Sequence, residues 1–365
     1  MKILLIAQFG KNGGTREAFK RILNAHHSKG YETHVVIDPG SDEEIKRFIT
    51  GMGFTFTELI KRSAFFDNMF TTVFYEHLNY GPVLKQFKPD MVVASIGTTQ
   101  HALYFFTRKY PMVYLLHTIQ KDLKKPFRLF FKMFSLLSDK NQWICGVSRA
   151  AAESVIKNWG YPNDQTAVLH NCYRKNHVSV LPVREKSDRI TVLTLGHMVE
   201  YKNPEVWLDV ARRITQKYKN VEFIWLGDGV LLKEFKEKTN DDDRIHFPGF
   251  KNDVRKYYAG ASIYFQPSKI ENHSFSVLDA MVNRLPCVVS NVGGQPDSVQ
   301  EGINGFLCEP DDKECYIQKI SKLIEDSELR EQTGGEGKRL AKQNFNPDDY
   351  KDKLSGLYKR VLNYS

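Results

Sequence analysis

The chain has 365 residues, 41% hydrophobic and 26% charged, the composition of a soluble globular protein and too long for one ordinary core. Two domains are the natural expectation, and no run approaches the length of a membrane-spanning helix. The formal net charge of +9 favours anionic partners, whether a nucleotide, a membrane surface or nucleic acid. The cysteines (Cys145, Cys172, Cys287, Cys308 and Cys315) form neither a CxxC pair nor a His/Cys metal spacing. Scattered in or beside apolar runs, they are expected as reduced thiols of a cytoplasmic protein. Met1 to Ala7 is apolar but too short for the core of a signal peptide.

Ile3 to Ala7 predicts a buried strand, and a loop containing Gly13 and Gly14 follows it. Ala18, Phe19, Ile22, Leu23 and Ala25 then recur at helical spacing, Gly30 ends the helix, and Thr33 to Ile37 makes the next strand, a βαβ unit. The loop is neither GxGxxG nor a Walker loop, since Lys11 precedes the glycines. It reads either as a tight turn or as a backbone that lets a phosphate come close. Residues 42–80 are rich in Phe and Tyr and predict helices with one strand. Met91 to Ala94 and Met112 to Leu116 are further parallel strands, the second ending in His117. A histidine there faces the ligand crevice of an open α/β sheet, or else caps or fills the core.

Residues 121–140 gather Lys121, Lys124, Lys125, Arg128 and Lys132 among Leu123, Phe127, Phe130, Phe131 and Phe134. The spacing predicts a basic loop and a helix with Pro126 at its first position. Its aromatic face either packs on the sheet or lies on a membrane surface. Ile144 to Val147 is the next strand, and Ser148 is placed to cap the helix after it.

After a polar linker at residues 180–186 the pattern restarts. Ile190 to Leu195 predicts a strand leading to Gly196, His197 and Lys202. Val221 to Leu226 leads to the Gly227-Asp228-Gly229 turn, read as structural, and Ile245 to Phe247 leads to Gly249 and Phe250. Asp241, Asp242 and Asp243 read as a solvated loop rather than a metal site. Ile263 to Phe265 precedes Pro267-Ser268 and a polar loop with Glu271. Ser274 or Ser276 can cap a helix whose apolar face is Leu278, Met281, Val282 and Leu285. Pro286 stops it, Cys287 to Val289 is a strand, and the pairs Gly293-Gly294 and Gly302/Gly305 mark turns. Helices over residues 315–323, 328–343 and 350–362 complete the chain.

Two acids frame the helix start near Ser274. Its first amides lack intrahelical acceptors and attract phosphate. Glu271 before it and Asp279 within it suit hydroxyl groups on what a phosphate carries, such as a sugar and a ribose. The plain alternative is a solvated glutamate and an exposed aspartate.

Pro267-Ser268, Glu271, an acid eight positions on, Ala280-Met281, Pro286 and Gly293-Gly294 together resemble the signature of the retaining glycosyltransferases of family 4. The chain departs from that signature in four places. Asp279 replaces a glutamate, Asn272-His273-Ser274 replaces a glycine-rich run, His197 replaces an arginine, and Cys172 replaces the glycine of an Asn-Gly turn. The resemblance implies an α/β protein of the GT-B class, two Rossmann-like domains whose parallel sheets face a central cleft. It places the acceptor domain at residues 1–180, with a helix at 347–365 crossing back, and the donor domain at 187–346.

The implied reaction moves a sugar, with retention, from a nucleotide sugar to a glycan or lipid-linked saccharide in surface polysaccharide synthesis. UDP is the implied nucleotide, with GDP-mannose left open. Glu271 would take the sugar hydroxyls, Asp279 the ribose, and His117 the reacting sugar from the first domain. Gly13, Gly14, Gly196, His197, Lys202, Phe250, Ser274, Phe275 and Ser276 would surround the donor. A His in place of Arg weakens one phosphate contact. The nucleotide sugar is a co-substrate; no metal or other cofactor and no nucleic acid is implied. Lys124, Lys125, Arg128 and Lys132 are candidates for contact with an anionic membrane by a cytoplasmic, peripheral enzyme. Two other classes share the fold: a non-catalytic nucleotide-sugar-binding subunit, and an epimerase or phosphorylase. The missing GxGxxG argues against a dehydrogenase.

Overall fold

The computed structural model describes residues 1–7, 13–60, 69–95, 110–121, 141–179, 189–239 and 242–363. The chain divides into two compact units, Met1–His170 with Asp348–Ser365, and Asn171–Pro347.

Unit 1 is built on a parallel sheet. Its strands are β1 (Lys2–Ala7), β2 (Glu32–Ile37), β3 (Thr55–Glu58), β4 (Met91–Ser95), β5 (Met112–Leu116), β6 (Gln142–Gly146) and β7 (Thr166–Val168), in the order β3-β2-β1-β4-β5-β6-β7. The central strands are apolar without alternation because both faces are covered; every residue of β4, β5 and β6 is buried. Ile3 pairs with Thr33 on one side and with Met91 on the other. The helices include α1 (Gly14–Ser28), α2 (Glu43–Gly51), α3 (Met69–Phe87) and α4 (Arg149–Trp159). Ser148 caps α4 as expected, its Oγ accepting from the Ala151 amide at 3.1 Å, and Gly160 ends it at φ 71°. The short edge strand β7 escapes the sequence pattern, being only partly buried.

Unit 1 takes its final helix, α12 (Pro347–Leu362), from the far end of the chain. Pro347 opens it at the first position, where a missing amide hydrogen matters least. His26 of α1 lies fully buried between Thr33 Oγ1 at 3.0 Å and Tyr358 OH at 2.9 Å. Tyr31 and Ser355 bond at 2.7 Å, and Arg360 stacks on Trp143 at 4.8 Å.

Unit 2 carries β8 (Ile190–Leu195), α5 (Pro204–Lys217), β9 (Val221–Leu226), α6 (Leu232–Lys238), β10 (Ile245–Gly249), α7 (Arg255–Gly260) and β11 (Ile263–Gln266). These are followed by α8 (Phe275–Val282), β12 (Cys287–Ser290), α9 (Gln295–Ser298), β13 (Gly305–Cys308), α10 (Lys313–Glu325) and α11 (Ser327–Asn344). Its sheet is parallel in the order β10-β9-β8-β11-β12-β13. Trp207 anchors one side of the core, with Phe223, Trp225 and Phe247 within 5.6 Å between ring centroids.

Two expectations need correction. Residues 171–179, assigned above to the first domain, pack with unit 2, where Asn171 donates to the His273 carbonyl at 2.8 Å. Gly302 and Gly305 bracket a turn as expected, and Gly305 also opens β13; a Cβ there would fall 2.1 Å from the Cys287 carbonyl oxygen, so only glycine lets β13 pair with β12. Cys308 and Cys315 form a disulfide, because the turn between β13 and α10 brings their Cα atoms to 5.8 Å. Cys145, Cys172 and Cys287 are buried and take no part in that bridge, and burial pushes the Cys145 thiol up to about 12. No helix of the described residues is long and apolar enough to cross a membrane.

Burial pushes the His26 pKa down to about 3. His26 is therefore neutral in the folded state and charged in the unfolded chain below its ordinary value of about 6.5. Its stabilising contribution is complete above that value and falls by up to about 1.4 kcal/mol per pH unit down to the folded pKa. In urea unfolding between pH 6 and pH 4, His26→Gln should take up about one proton fewer on unfolding than the wild type. An unchanged uptake would mean that His26 is charged within the fold.

Candidate functional site

A parallel sheet sends all its strands to the same edge, and the loops at the carboxyl ends of β8 to β11 gather the polar side chains of unit 2. Three of these loops interlock through their backbones. Gly196 donates to the Leu226 carbonyl at 3.0 Å, Gly227 to the Gly249 carbonyl at 3.1 Å, and Met198 to the Asp228 carbonyl at 3.0 Å. Gly227 has φ 144°, and a Cβ on it would lie 2.0 Å from the Gly196 carbonyl oxygen. The Gly-Asp-Gly turn is thus a structural element, and Asp228 completes it by accepting the Phe250 amide at 2.9 Å. The Phe250 ring is left exposed beside it, as is His197.

Lys202 ends a short 3-10 turn, with Asn203 behind it at φ 59°. The chain bends there so that Lys202 passes Gly196, where a Cβ would sit 3.9 Å from its Cε. Its Nζ forms an ion pair with Glu271 Oε2, both side chains being mostly buried. Gln266 Nε2 donates to the same carboxylate oxygen at 2.7 Å, and the Asn272 amide approaches Oε1 at 3.3 Å. The Lys269 amide donates to the Tyr201 carbonyl at 2.8 Å, which ties the loop bearing Lys202 to the loop bearing Glu271.

Helix α8 starts immediately after this pair. Ser274 stands at its N-cap without a side-chain cap bond, buried beside Phe275, and Ser276 is partly exposed in the first turn. The amides of that turn carry the positive end of the helix dipole. A lysine, an acid and an uncapped helix start therefore share one edge, and together they can hold a diphosphate and a hydroxylated group.

Asp279 does not join them. It has no exposed surface, and its carboxylate is consumed by residues 174–177. Oδ1 accepts the Arg174 amide at 2.7 Å and Oδ2 accepts Arg174 Nε at 2.6 Å, while Arg174 Nη2 and His177 Nδ1 lie within ion-pair distance of Oδ2 at 2.6 and 2.9 Å. Burial alone would push this carboxyl up; the Arg174 guanidinium and then His177 outweigh it and hold the pKa below the ordinary value. The assignment of Asp279 to a ribose is thereby corrected. Aspartate is one methylene shorter than glutamate, and its charge is spent on the segment that enters unit 2.

In unit 1, Ser95 at the end of β4 bonds His117 Nε2 at 2.8 Å. The residue keeps some exposed surface, but the ring is enclosed, and that enclosure pushes its pKa down to about 4, leaving it neutral near pH 7. Gly13, at φ 123°, precedes α1, and Gly14 is its first residue, on the same edge of the sheet as His117. Lys124, Lys125, Arg128 and Lys132 lie outside the described residues, as does Asp241. Asp242 accepts the Arg244 amide at 3.0 Å, and Asp243 is exposed.

Sequence reasoning missed Gln266 and Arg174. Gln266 ends an apolar strand and looks like its polar terminus. Arg174 lies about a hundred positions from its partner, and the one available signal was a basic pair, Arg174 and His177, with no acid nearby in the chain.

Two family models match the chain. The family model described as Glycosyl transferases group 1 matches residues 178–340, and that of Glycosyltransferase Family 4 matches residues 12–175. The chain belongs to the group 1 glycosyltransferases. An uncharacterized glycosyltransferase of Haemophilus influenzae is 32% identical over 148 residues, 40% of this chain and 42% of that protein. The UDP-Gal:alpha-D-GlcNAc-diphosphoundecaprenol alpha-1,3-galactosyltransferase of Escherichia coli is 25% identical over 179 residues, 47% of this chain and 46% of that protein. The chain spans about half the length of the curated relatives it matches.

Among solved structures, a glycosyltransferase from Rickettsia africae superposes with a TM-score of 0.84 at 16% identity, covering 100% of this chain and 99% of the other. Anabaena Alr3699/HepE, solved with UDP and glucose, gives 0.75 at 20% identity and 98% coverage of both chains. At these identities the likeness establishes the fold, which is that of the GT-B glycosyltransferases.

The buried ion cluster leads to a test. Asp279→Asn leaves the Arg174 guanidinium without its countercharge and should destabilise unit 2 by about 3 kcal/mol in denaturant unfolding. Any nucleoside diphosphate that the wild type binds should match its 2′,3′-dideoxy analogue in affinity within about three-fold, a difference under about 1 kcal/mol. Full stability with a loss confined to the ribose-bearing ligand would return Asp279 to the nucleotide.

Proposed function

We propose that this chain is a metal-independent retaining glycosyltransferase that moves a sugar from a UDP-sugar to a glycan or lipid-linked saccharide of a surface polysaccharide. The observation that carries the reading is the convergence of Lys202, Glu271 and the uncapped start of α8 on one edge of unit 2. The Escherichia coli relative is named for a UDP-sugar donor and a lipid diphosphate acceptor, and HepE was crystallised with UDP-glucose. Both names support a uridine nucleotide, and the first supports an acceptor of that class.

On this reading the donor's diphosphate lies against the first amides of α8, with Lys202 beside it and Gly196 leaving room for the phosphate oxygens. Negative charge grows on the diphosphate as the glycosidic bond breaks, and fixed dipoles with one cation stabilise it without reorganising. Glu271 accepts hydroxyl groups of the sugar through Oε1, its other oxygen being held by Lys202 and Gln266. Neutral His117, steadied by Ser95, is assigned to a substrate hydroxyl. Phe250, exposed beside the interlocked loops, is available to the nucleobase, and Gly13 and Gly14 are assigned to close backbone approach. Retention of configuration is carried over from the family resemblance. A lipid-linked acceptor would bring the enzyme to a membrane surface, with Lys124, Lys125, Arg128 and Lys132 as its contact.

A thermal-shift and nucleotide-release screen against UDP-, GDP- and ADP-sugars, with and without EDTA, tests this reading. A shift with a UDP-sugar that survives EDTA, with slow release of UDP, is expected. A shift without release on any acceptor would identify a binding subunit, and no shift with any donor would reject the donor site. Lys202→Ala should weaken UDP about ten-fold or more and uridine less than about two-fold, since only the first bears the charge it meets. Equal losses would remove Lys202 from the phosphates.

A further inference from the structure

Ser274 holds the N-cap position of α8 with φ −73° and ψ 118°, the extended backbone from which a serine hydroxyl accepts an amide of the first turn. It makes no such bond. Its Oγ lies instead 3.3 Å from Gln266 Oε1 and 3.0 Å from Ser276 Oγ. Ser276 Oγ and Tyr264 OH donate to the same Gln266 oxygen at 3.1 and 3.0 Å. One buried carbonyl thus collects the hydroxyls that surround the helix start.

The orientation of that amide is fixed from its other end. Gln266 is 2% exposed, and its Nε2 faces Glu271 Oε2 at 2.7 Å and Ser268 Oγ at 3.2 Å. A carboxylate paired with a lysine only accepts hydrogen bonds, so nitrogen must face Glu271 and oxygen must face the serines. Rotation of the amide would set oxygen against oxygen on one side and N–H against donors on the other.

We propose that Gln266 is a positioning residue that keeps the start of α8 uncapped, so that its first amides stay available to the donor's diphosphate. The inference rests on the donor reading above. Left to itself, Ser274 would turn its hydroxyl onto the amide of Ser276 or Val277 and occupy the place of a phosphate oxygen. Gln266 removes that competitor and, through the same side chain, sets Glu271 beside Lys202.

Hydrogen–deuterium exchange of the peptide spanning residues 274–280, together with calorimetric UDP binding, tests the proposal. In Gln266→Leu the released hydroxyl caps the helix, exchange of the first-turn amides slows about five-fold, and UDP binds about ten-fold more weakly, as expected for gaining one cap and losing one ligand site. Gln266→Leu/Ser274→Ala has no hydroxyl to turn and should restore fast exchange and most of the affinity. Unchanged exchange in Gln266→Leu, or equal loss of affinity in the single and double variants, would overturn the proposal. If Gln266→Leu does not fold, Ser274→Ala alone decides: exchange within about two-fold of wild type supports it, and acceleration of the size of a lost cap refutes it. If wild type fails to bind UDP while the exchange pattern holds, the donor reading falls and the uncapping is supported.

Discussion

A carboxylate with no exposed surface must be neutralised where it stands. In unit 2 that constraint is met at Asp279, and much of the surrounding structure follows from it. The partners come from residues 174–177, so the segment that enters the unit is drawn onto α8. One turn further along the same helix, Asn283 donates to the His177 carbonyl at 3.0 Å and accepts the Ser179 amide at 2.8 Å. The helix presenting its amino end to the site is thus fastened along its length by the segment that precedes the sheet. Removing the charge from one side alone would leave the other buried, which explains why Arg174 and Asp279 form one unit in a fold that could have packed apolar residues there.

The front of the same helix obeys the opposite rule. There the backbone groups are left without a side-chain cap, and polar atoms that could satisfy them are diverted to Gln266. A single helix therefore has a rear that is fully paired and a front that is held open. The interlocked glycines of the neighbouring loops play the matching part. Gly196, Gly227 and Gly249 bring three backbones close enough to bond one another, and so fix the floor on which Lys202 turns.

The parallel sheets were legible because strands buried on both faces read as unbroken apolar runs, as in Met91 to Ala94 and Met112 to Leu116. Ser148 marked a helix start through local chemistry that needs no tertiary context. The Lys202 and Glu271 pair was legible only as two residues of suitable type near strand ends; their meeting depends on loops packed through backbone atoms. The failures have a common cause. Gly305 was legible as the edge of a turn, but not as the point where β12 comes too close for a side chain. The helix over 328–343 was legible despite Gly334, but not the reason for that glycine: a Cβ on it would lie 2.1 Å from the Arg284 carbonyl oxygen. Asp279, Arg174 and the Cys308–Cys315 bridge likewise owe their roles to neighbours that composition and periodicity do not encode.

The second crossing of the chain into unit 1 orders events during synthesis. The sheet of unit 1 is complete once β7 has emerged, but the imidazole of His26 then lacks the hydroxyl of Tyr358, which lies 332 positions downstream. The groove that α12 will fill stays wet while the whole of unit 2 is made. A ribosome thus delivers a finished second unit before the first can close, although the first began earlier. Stalling or truncation just short of α12 would release a chain with one folded half and one half exposing the apolar flank of its oldest helix.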